Sequence, residues 1–501
     1  MALVAVGGCA QLPPRPVLPH ETAIAPAGGS ALDELVAAEE SRHPGESAFR
    51  LVAEGTEAFA VLMQSARLAA RSLDVQTYIW HADLTGIYLA QQLLESADRG
   101  VRVRLLLDDL DARARNDGYA ALAAHPRIDV RMFNPWVTRS GGLQKAGESA
   151  LNFKRINRRM HNKSWIADNR IAIVGGRNVG DEYFGADKEM NFVDLDFAML
   201  GPVVREASAW FDRYWNSASA YPMEILDADG VNEDALGKLR NRLKQYTSET
   251  GNSRHAVAVT GDESVKRMIA ADGAMEWSAK YRFISDDPAK VTMKRRDAIR
   301  TPLGSALLPM VLAAESSINI ISPYFVPGEE FTAALVGAVG SGKQVRILTN
   351  SLVANDVAAV HGGYMRYRRP LLKAGVQLWE LKPGRNAAAS SLFGSSGASL
   401  HTKALSTDGR RLFVGSYNVD PRSTWLNCEQ GVLVDDAALT VQLDGIFDAQ
   451  TTGQHAWQVL LQDGAMTWSD GKESFSSDPK ASAWRRLQAW VTRILRLDAQ
   501  L

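Results

Sequence analysis

Cysteine is nearly absent from this chain, and so is any long apolar run. The 501 residues include two cysteines, Cys9 and Cys428. They are too few for a disulfide framework or for a zinc site built on paired thiolates. No apolar segment approaches the roughly 20 residues that a helix needs to cross a bilayer, so no transmembrane helix is predicted. The formal net charge of -1 provides no basic surplus to attract nucleic acid.

What remains is an ordinary globular composition with 46% hydrophobic residues, in a chain long enough for two domains. Residues 1–45 are rich in Pro, Ala and Gly and are predicted to be a leader with a flexible linker. Cys9 follows Val6, Gly7 and Gly8, and this segment resembles the lipobox of bacterial lipoproteins. Cys9 is therefore a lipidation candidate. An unstructured terminus is the alternative, because no Lys or Arg precedes the short apolar stretch.

From about residue 49 the patterns of strands and helices alternate. Strands are predicted at residues 72–80, 101–108, 128–133 and 170–175, and again at 317–324, 342–349, 375–381 and 411–415. The alternation indicates mixed sheets flanked by helices. We therefore predict an α/β fold with two similar units at residues 46–224 and 301–470. A polar helical linker at 225–300 joins them, and a tail at 471–501 follows.

One short phrase occurs once in each unit. Its positions are His161, Lys163, Asp168, Gly175 and Asn178 in the first unit, and His401, Lys403, Asp408, Gly415 and Asn418 in the second. Each pair is 240 positions apart, since 401 − 161 = 240. Residues two apart in an extended segment point to the same face, so each His lies beside its Lys. The shared register predicts one site assembled from both halves.

Two imidazoles and two ammonium groups in one site favour phosphate as the ligand. The lysines are predicted to hold the non-bridging oxygens, while one histidine attacks phosphorus to form a phosphohistidine. The other histidine would protonate the leaving alkoxide and then deprotonate the acceptor. Asn178 and Asn418 are predicted to donate to the phosphate. Gly176 and Ser416 are small enough to let the backbone approach it.

The acidic residues near the phrase allow two interpretations. Asp168 and Asp408 either orient the histidines or cap a turn, and we favour orientation. Glu429 and one of Asp194 and Asp196, of which we select Asp196, either support the histidines or form ordinary ion pairs. No cofactor or metal is predicted, because metal-ligand spacings are absent and each motif lysine would repel a cation.

The phrase matches the HxKxxxxD motif, and the chain resembles the phospholipase D superfamily from about residue 50 onwards. Segments at residues 159–165, 174–184, 192–196, 350–364 and 418–423 resemble the bacterial cardiolipin synthase C type. The resemblance implies two units packed as a pseudo-dimer around one metal-independent site. It also implies that His161 is the attacking residue and His401 the acid, although a symmetric site allows either histidine to attack.

The narrower resemblance implies a phosphatidyltransferase that makes cardiolipin from phosphatidylglycerol and a second phospholipid, such as phosphatidylethanolamine. Hydrolysis to phosphatidic acid, nuclease activity of the same superfamily and a catalytically idle membrane scaffold are the alternatives. The expected partners are phospholipids and a membrane surface, with no nucleic acid. The expected location is a bacterial cell membrane, with the chain peripheral or lipid-anchored.

The tail has apolar residues at helical spacing with arginines between them. They are Trp484, Leu487, Trp490, Val491, Ile494, Leu495 and Leu497, with Arg485, Arg486, Arg493 and Arg496. This pattern predicts a basic amphipathic helix. Such a helix suits a lipid interface or packs on the domain as its last element.

Overall fold

The computed structural model describes residues 12–112, 116–137, 152–261, 263–270, 275–294, 303–355, 357–383 and 399–495. Cys9, the lipidation candidate, lies outside these residues. The strands in chain order are β1 (Ser47–Val52), β2 (Ser72–Thr77), β3 (Arg102–Asp108), β4 (Ile128–Phe133), β5 (Ser164–Ala167), β6 (Ile171–Gly175), β7 (Phe192–Val193), β8 (Asp196–Leu200), β9 (Ala220–Pro222), β10 (Glu276–Ser278), β11 (Tyr281–Ser285), β12 (Ser317–Ile321), β13 (Gln344–Asn350), β14 (Gln377–Leu381), β15 (Ser399–Leu400), β16 (Ala404–Thr407), β17 (Arg411–Gly415), β18 (Gln430–Asp435), β19 (Ala456–Gln462), β20 (Ala465–Ser469) and β21 (Ser474–Phe475).

Helices flank the strands, together with a short 3-10 helix at Pro288–Val291. The α-helices are α1 (Ala31–Arg42), α2 (Gly55–Leu68), α3 (Leu84–Asp98), α4 (Asp109–Ala112), α5 (Asn116–Ala123), α6 (Phe153–Ile156), α7 (Asp181–Phe184), α8 (Pro202–Trp215), α9 (Met223–Leu226), α10 (Glu233–Glu249), α11 (Arg254–Val259), α12 (Ser264–Ala270), α13 (Gly304–Leu312), α14 (Gly328–Gly340), α15 (Ala358–Ala374), α16 (Pro421–Trp425), α17 (Ala437–Gln450) and α18 (Ala483–Leu495).

The two large sheets repeat one topology. The first has the order β10-β1-β8-β6-β5-β2-β3-β4-β9, and the second has β11-β18-β17-β16-β12-β13-β14-β19-β20-β21. In each sheet three parallel strands, β2-β3-β4 or β12-β13-β14, continue into antiparallel strands that include the motif hairpin. The hairpins β5-β6 and β16-β17 therefore occupy equivalent places, as the offset of 240 predicts. The predicted α/β fold of two similar units is confirmed.

Local sequence signals explain where the flanking helices begin and end. Helix α3 begins after Asp83, whose carboxylate accepts a hydrogen bond from the Gly86 amide. It ends before Gly100, which has φ of +97° and so takes a backbone conformation that glycine favours. This helix carries the chain from β2 back to the parallel strand β3.

The units pack face to face through a shared apolar core. One buried cluster contains Phe49 and Phe197 from the first unit with Leu412 and Val432 from the second. Other clusters lie between each sheet and its own outer helices. Burial of apolar side chains from both sheets holds the halves in one arrangement, which fixes the two motifs relative to each other.

The leader and the linker differ from their predictions. Within the predicted flexible leader, residues 31–42 form α1, whose Leu32 and Val36 are buried and whose Asp33 pairs with Arg71 and Arg170. The linker contains helices, as predicted, but also β10 and β11. These strands add one to each sheet by pairing with β1 and β18. Strands this short contain too few residues for alternating apolar positions to be recognised in the sequence.

The tail forms a helix, as predicted, over Ala483–Leu495. Residues 496–501 lie outside the described part of the chain. None of the helices within the described part is long and apolar enough to cross a bilayer.

Candidate active site

The backbone of each motif histidine, just before its hairpin, is hydrogen-bonded to the opposite half of the chain. The amide of His161 donates to the carbonyl of Cys428 at 2.8 Å, and the amide of His401 donates to the carbonyl of Val193 at 2.8 Å. Strands β7 and β15, which pair in parallel just before His401, extend the second of these contacts. The backbone therefore brings the two phrases to one interface between the sheets.

A carboxylate from the second half contacts the first histidine. Nδ1 of His161 lies 2.9 Å from Oε2 of Glu429 and 3.2 Å from the carbonyl oxygen of Ser416. Glu429 is fully buried and also accepts hydrogen bonds from the hydroxyls of Ser416 and Ser423. These contacts fix the position of the carboxylate, to which Nδ1 of His161 donates its proton in a hydrogen bond. Nε2 of the neutral ring therefore carries the lone pair and is the atom that can react.

The second histidine has the reciprocal arrangement. Nδ1 of His401 lies 2.5 Å from Oδ2 of Asp194, a buried residue of the first half. The amide of Leu195 donates to the other oxygen of this carboxylate. Each histidine is thus oriented by an acid from the opposite unit, so neither unit contains a complete set of contacts.

The motif lysines occupy equivalent positions. Nζ of Lys163 donates to the carbonyl oxygen of His161 at 2.6 Å, and Nζ of Lys403 donates to that of His401. Nζ of Lys163 also lies 5.3 Å from the centre of the Tyr78 ring. The ammonium groups therefore lie next to the histidines, as the spacing predicts.

Burial controls the protonation of the site. Desolvation lowers the pKa of His161 to about 4, against the attraction of Glu429 and with the repulsion of Lys163. Desolvation, together with Lys403 and Lys163, also holds the pKa of His401 well below 6.5. Both imidazoles are therefore neutral at pH 7 before an anion binds. Lys163 and Lys403 each lower the pKa of both histidines, so the two phrases share one electrostatic environment.

The two carboxylates differ in charge preference. Burial raises the pKa of Glu429, but His161, Lys163 and the Ser416 hydroxyl outweigh it and lower the pKa below its ordinary value. For Asp194, burial is the larger effect and the pKa is raised. Glu429 therefore remains an anion beside His161. The site is not electrostatically symmetric although its backbone is repeated.

Aromatic rings enclose the imidazoles. The Tyr78 ring packs edge-on against His161, with centroids 4.9 Å apart, and the Tyr183 ring packs edge-on against His401 at 5.2 Å. Phe192 also lies against His401. Asn178 connects the two sides, because its amide donates to the Tyr183 hydroxyl and accepts from the backbone next to Tyr78.

The small residues of the phrase position carboxylates. A Cβ atom added to Gly176 would lie 2.2 Å from Oδ1 of Asp194, so only glycine leaves room for this acid. At the equivalent position, the Ser416 hydroxyl donates to Glu429 at 2.5 Å. These contacts assign Gly176 and Ser416 to carboxylate positioning, which differs from the phosphate contact predicted for them.

The prediction that Asp168 and Asp408 orient the histidines is wrong. The Asp168 carboxylate accepts hydrogen bonds from the amides of residues 70–72, which lead into β2. The Asp408 carboxylate likewise accepts from the amides of residues 315–317, which lead into β12. Both aspartates have positive φ, of 53° and 59°, in the hairpin turn. They cap a turn and a strand entry, the alternative left open by the sequence.

The selection of Asp196 is also wrong. Its carboxylate accepts from the amide and guanidinium of Arg177, and it is Asp194 that reaches His401. Asp194 follows Asn178 by 16 positions whereas Glu429 follows Asn418 by 11, so the fixed offset of 240 does not align them. Three aromatic residues of the site were not predicted from the sequence: Tyr78, Tyr183 and Phe192. For Tyr78 alone a signal was available, namely its position at the end of a predicted strand.

Three further positions in the second unit are also described. Asn418 is buried, its backbone N–H donates to the Ser423 hydroxyl, and its side-chain oxygen has no hydrogen-bond partner among the described residues. Cys428 is fully buried, as expected for a small apolar side chain. His361 lies in a buried network with Asp478 and Arg368. It therefore belongs to the core of the second unit.

The chain is similar to known proteins along most of its length. The family model described as "Cardiolipin synthase, PLD-like domain" matches residues 62–215 and 307–451. The chain is 38% identical over 471 residues to cardiolipin synthase C of Escherichia coli (strain K12), which covers 91% of this chain and 97% of that protein. It is 28% identical to a cardiolipin synthase of Oceanobacillus iheyensis, over 79% of this chain and 67% of that protein.

The fold is also found among solved structures. A phosphatidylserine synthase from Haemophilus influenzae Rd KW20 superposes with a TM-score of 0.59 at 13% identity, covering 93% of this chain and 98% of that chain. This likeness concerns the fold alone. Together with the family match, the duplicated motif and the interlocked histidines identify the chain as an enzyme of the phospholipase D-like cardiolipin synthase family.

Proposed function

We propose that this enzyme transfers phosphatidyl groups and makes cardiolipin from phosphatidylglycerol and a second phospholipid. The observation that supports the proposal is the reciprocal contact of each motif histidine with a carboxylate of the other half. Two oriented imidazoles beside two ammonium groups provide a nucleophile, a proton carrier and charge stabilisation for a phosphodiester. The lipid classes rest on the relatives named cardiolipin synthase.

In the first step, Nε2 of His161 attacks phosphorus as the bond to the leaving alkoxide breaks. His401 donates a proton to that alkoxide, after an anionic substrate has raised its pKa and allowed it to be protonated. The phosphatidyl group is then bonded to His161 as a phosphohistidine. The ionised Glu429 stabilises the positive charge that this bond places on the imidazole.

In the second step, His401 accepts the proton of a phosphatidylglycerol hydroxyl, and the resulting alkoxide attacks phosphorus. The bond to His161 breaks, and cardiolipin is released with both histidines restored. Lys163 and Lys403 hold the non-bridging oxygens. Their hydrogen bonds to the histidine carbonyls are replaced by hydrogen bonds to the phosphate. The side-chain NH2 group of Asn418, a buried residue, is a further donor for the phosphate.

Burial favours an alcohol over water as the acceptor. His161 is 8% exposed, and the rings of Tyr78, Tyr183 and Phe192 lie against the two imidazoles. A site that excludes water limits hydrolysis of a reactive intermediate. For this reason we place transfer ahead of hydrolysis to phosphatidic acid.

The substrates place the enzyme at a membrane surface, where we propose a peripheral or lipid-anchored association. Lipidation of Cys9 would supply the anchor. The expectation that nucleic acid is not a partner rests on the net charge of -1.

Labelled phosphatidylglycerol tests the proposal most simply. The purified enzyme is incubated with it, with and without phosphatidylethanolamine, and the lipids are separated. Labelled cardiolipin is the expected product. Labelled phosphatidic acid alone would identify a hydrolase, and an unchanged lipid in both incubations would contradict the proposed activity.

A further inference from the structure

Helix α18 attaches to the second unit through its smallest residues. Ala489 is fully buried against α15, and a Cβ atom added to Gly362 would lie 2.1 Å from the Thr492 hydroxyl and 2.4 Å from the Ala489 carbonyl oxygen. The two helices therefore meet at backbone distance. An amphipathic helix ordinarily buries its large apolar side chains, and this contact buries small ones instead.

The large apolar side chains consequently face outward. Those with high exposure are Trp484 (58%), Leu487 (47%), Trp490 (53%), Val491 (37%) and Ile494 (55%). Their spacing of three to four residues places them along one side of the helix. A single exposed apolar residue is ordinary, but five along 13 residues, two of them Trp, form a patch typical of an interaction site.

The charged residues of helix α18 itself all have one sign. Helix α18 contains Arg485, Arg486 and Arg493 and no acidic residue. Arg486 and Arg493 are exposed next to the apolar side chains. In a two-fold contact between copies the same patch would face itself, so the helix charges from both copies would all be positive and none would be neutralised by the other helix. An anionic surface with an apolar interior is complementary to both features.

The helix also lies beside the approach to the second motif. The guanidinium of Arg485 donates to the carbonyl of Asn355, and the preceding residue Ala354 accepts from the Ser399 hydroxyl at 3.0 Å. Ser399 and Leu400 form β15, which leads directly into His401. The patch and the active site are thus connected through one short segment.

We propose that the outer face of α18 docks the enzyme onto bilayers of anionic phospholipid, with the tryptophans in the interface and the arginines at the headgroups. The proposal rests on the proposed function for the identity of the substrate, a lipid held in such a bilayer. A cavity of about 330 Å³ lies next to this face, lined by Leu352, Met365, Leu487 and Trp490 together with the charged residues Asp478 and Arg486.

Vesicle binding tests the docking surface without requiring catalysis. The variant Trp484→Ser/Trp490→Ser is compared with the wild-type enzyme by flotation with vesicles of phosphatidylglycerol and phosphatidylcholine in equal parts. We expect an apparent dissociation constant weakened by about tenfold or more. The matched control is Leu312→Ser/Val441→Ser, since these residues are equally exposed on α13 and α17, and it is expected to bind as the wild type does. Unchanged unfolding midpoints verify that both variants are folded.

Charge is tested separately. Arg486→Gln/Arg493→Gln is expected to weaken binding to the same vesicles and to reduce its dependence on salt. Equal binding by the wild type and the Trp484→Ser/Trp490→Ser variant would overturn the docking proposal. So would a loss of dimer by that variant in sedimentation velocity with vesicle binding unchanged, because the face would then be an interface between copies.

Activity in detergent micelles distinguishes the two proposals. Wild-type rates of cardiolipin formation by the Trp484→Ser/Trp490→Ser variant in micelles, with weak rates on vesicles, would support docking. Vesicle binding by the wild type without product in either system would refute the proposed function and leave the docking surface intact.

Discussion

Nδ1 of His161 lies 2.9 Å from Oε2 of Glu429, although 268 residues separate them in the chain. Asp194 makes the reciprocal contact with His401 from the first half. Each half therefore supplies a histidine to the site and the acid that orients the other half's histidine. Because of this exchange, the repeat produces one site and not two.

Removing the charge of either orienting acid should slow turnover strongly. We expect Glu429→Gln and Asp194→Asn each to lower kcat by about 10² to 10⁴, because the histidine loses both its fixed tautomer and its counter-ion. Initial rates of phosphatidyl transfer measure the loss. Asp448→Asn, which changes a surface acid paired with Arg346, is the control. Turnover near the wild-type rate in both variants would refute the orienting role.

The motif aspartates should affect stability instead. Asp168→Asn removes the anionic acceptor of three backbone amides at the entry to β2, and we expect the free energy of unfolding to fall by about 1–3 kcal/mol. The folded fraction should retain kcat within a few-fold. Denaturant titration and rates normalised to folded protein measure the two effects. A large loss of kcat with unchanged stability would restore the catalytic role predicted from sequence.

The outcome for these aspartates illustrates what sequence could reveal. The offset of 240 correctly matched β5-β6 with β16-β17, because a strand hairpin is a local feature. Glu429 is predicted correctly as a supporting acid, but the offset could not show that Asp194 and not Asp196 reaches His401. Asp194 and Glu429 come from the opposite unit, and their spacings from the motifs differ. Burial of Leu32 on α1 and the pairing of β10 and β11 with separate sheets likewise depend on contacts between distant segments.

Acid should destabilise the enzyme through His161. Burial lowers its pKa from 6.5 to about 4, so between these pH values the unfolded chain binds a proton that the native residue does not. The free energy of unfolding therefore falls as the pH falls from about 6.5 to 4, while this penalty is absent above 6.5. His161→Gln should have a shallower dependence in that interval. Denaturant titrations at pH 7, 6, 5 and 4 measure both slopes, and identical slopes would contradict the assignment.

Chelation should leave turnover unchanged. The ammonium groups of Lys163 and Lys403 lie beside the histidines and would oppose a cation there, while they provide the positive charge that a phosphodiester requires. Rates before and after incubation with EDTA, followed by removal of the chelator, measure this directly. A loss of rate that added metal restores would refute the metal-independent mechanism.

The central claim is that His161 and His401 act on one phosphodiester with different duties, and trapping of the intermediate tests it most directly. We expect His161→Ala and His401→Ala each to abolish turnover. His401→Asn, incubated with labelled phosphatidylglycerol, should accumulate a phosphatidyl group on the peptide that contains His161, detected by mass spectrometry. If the His161→Asn variant is labelled on His401 while the His401→Asn variant carries no label on His161, the two roles are reversed. Full activity of either alanine variant would contradict the two-histidine mechanism itself.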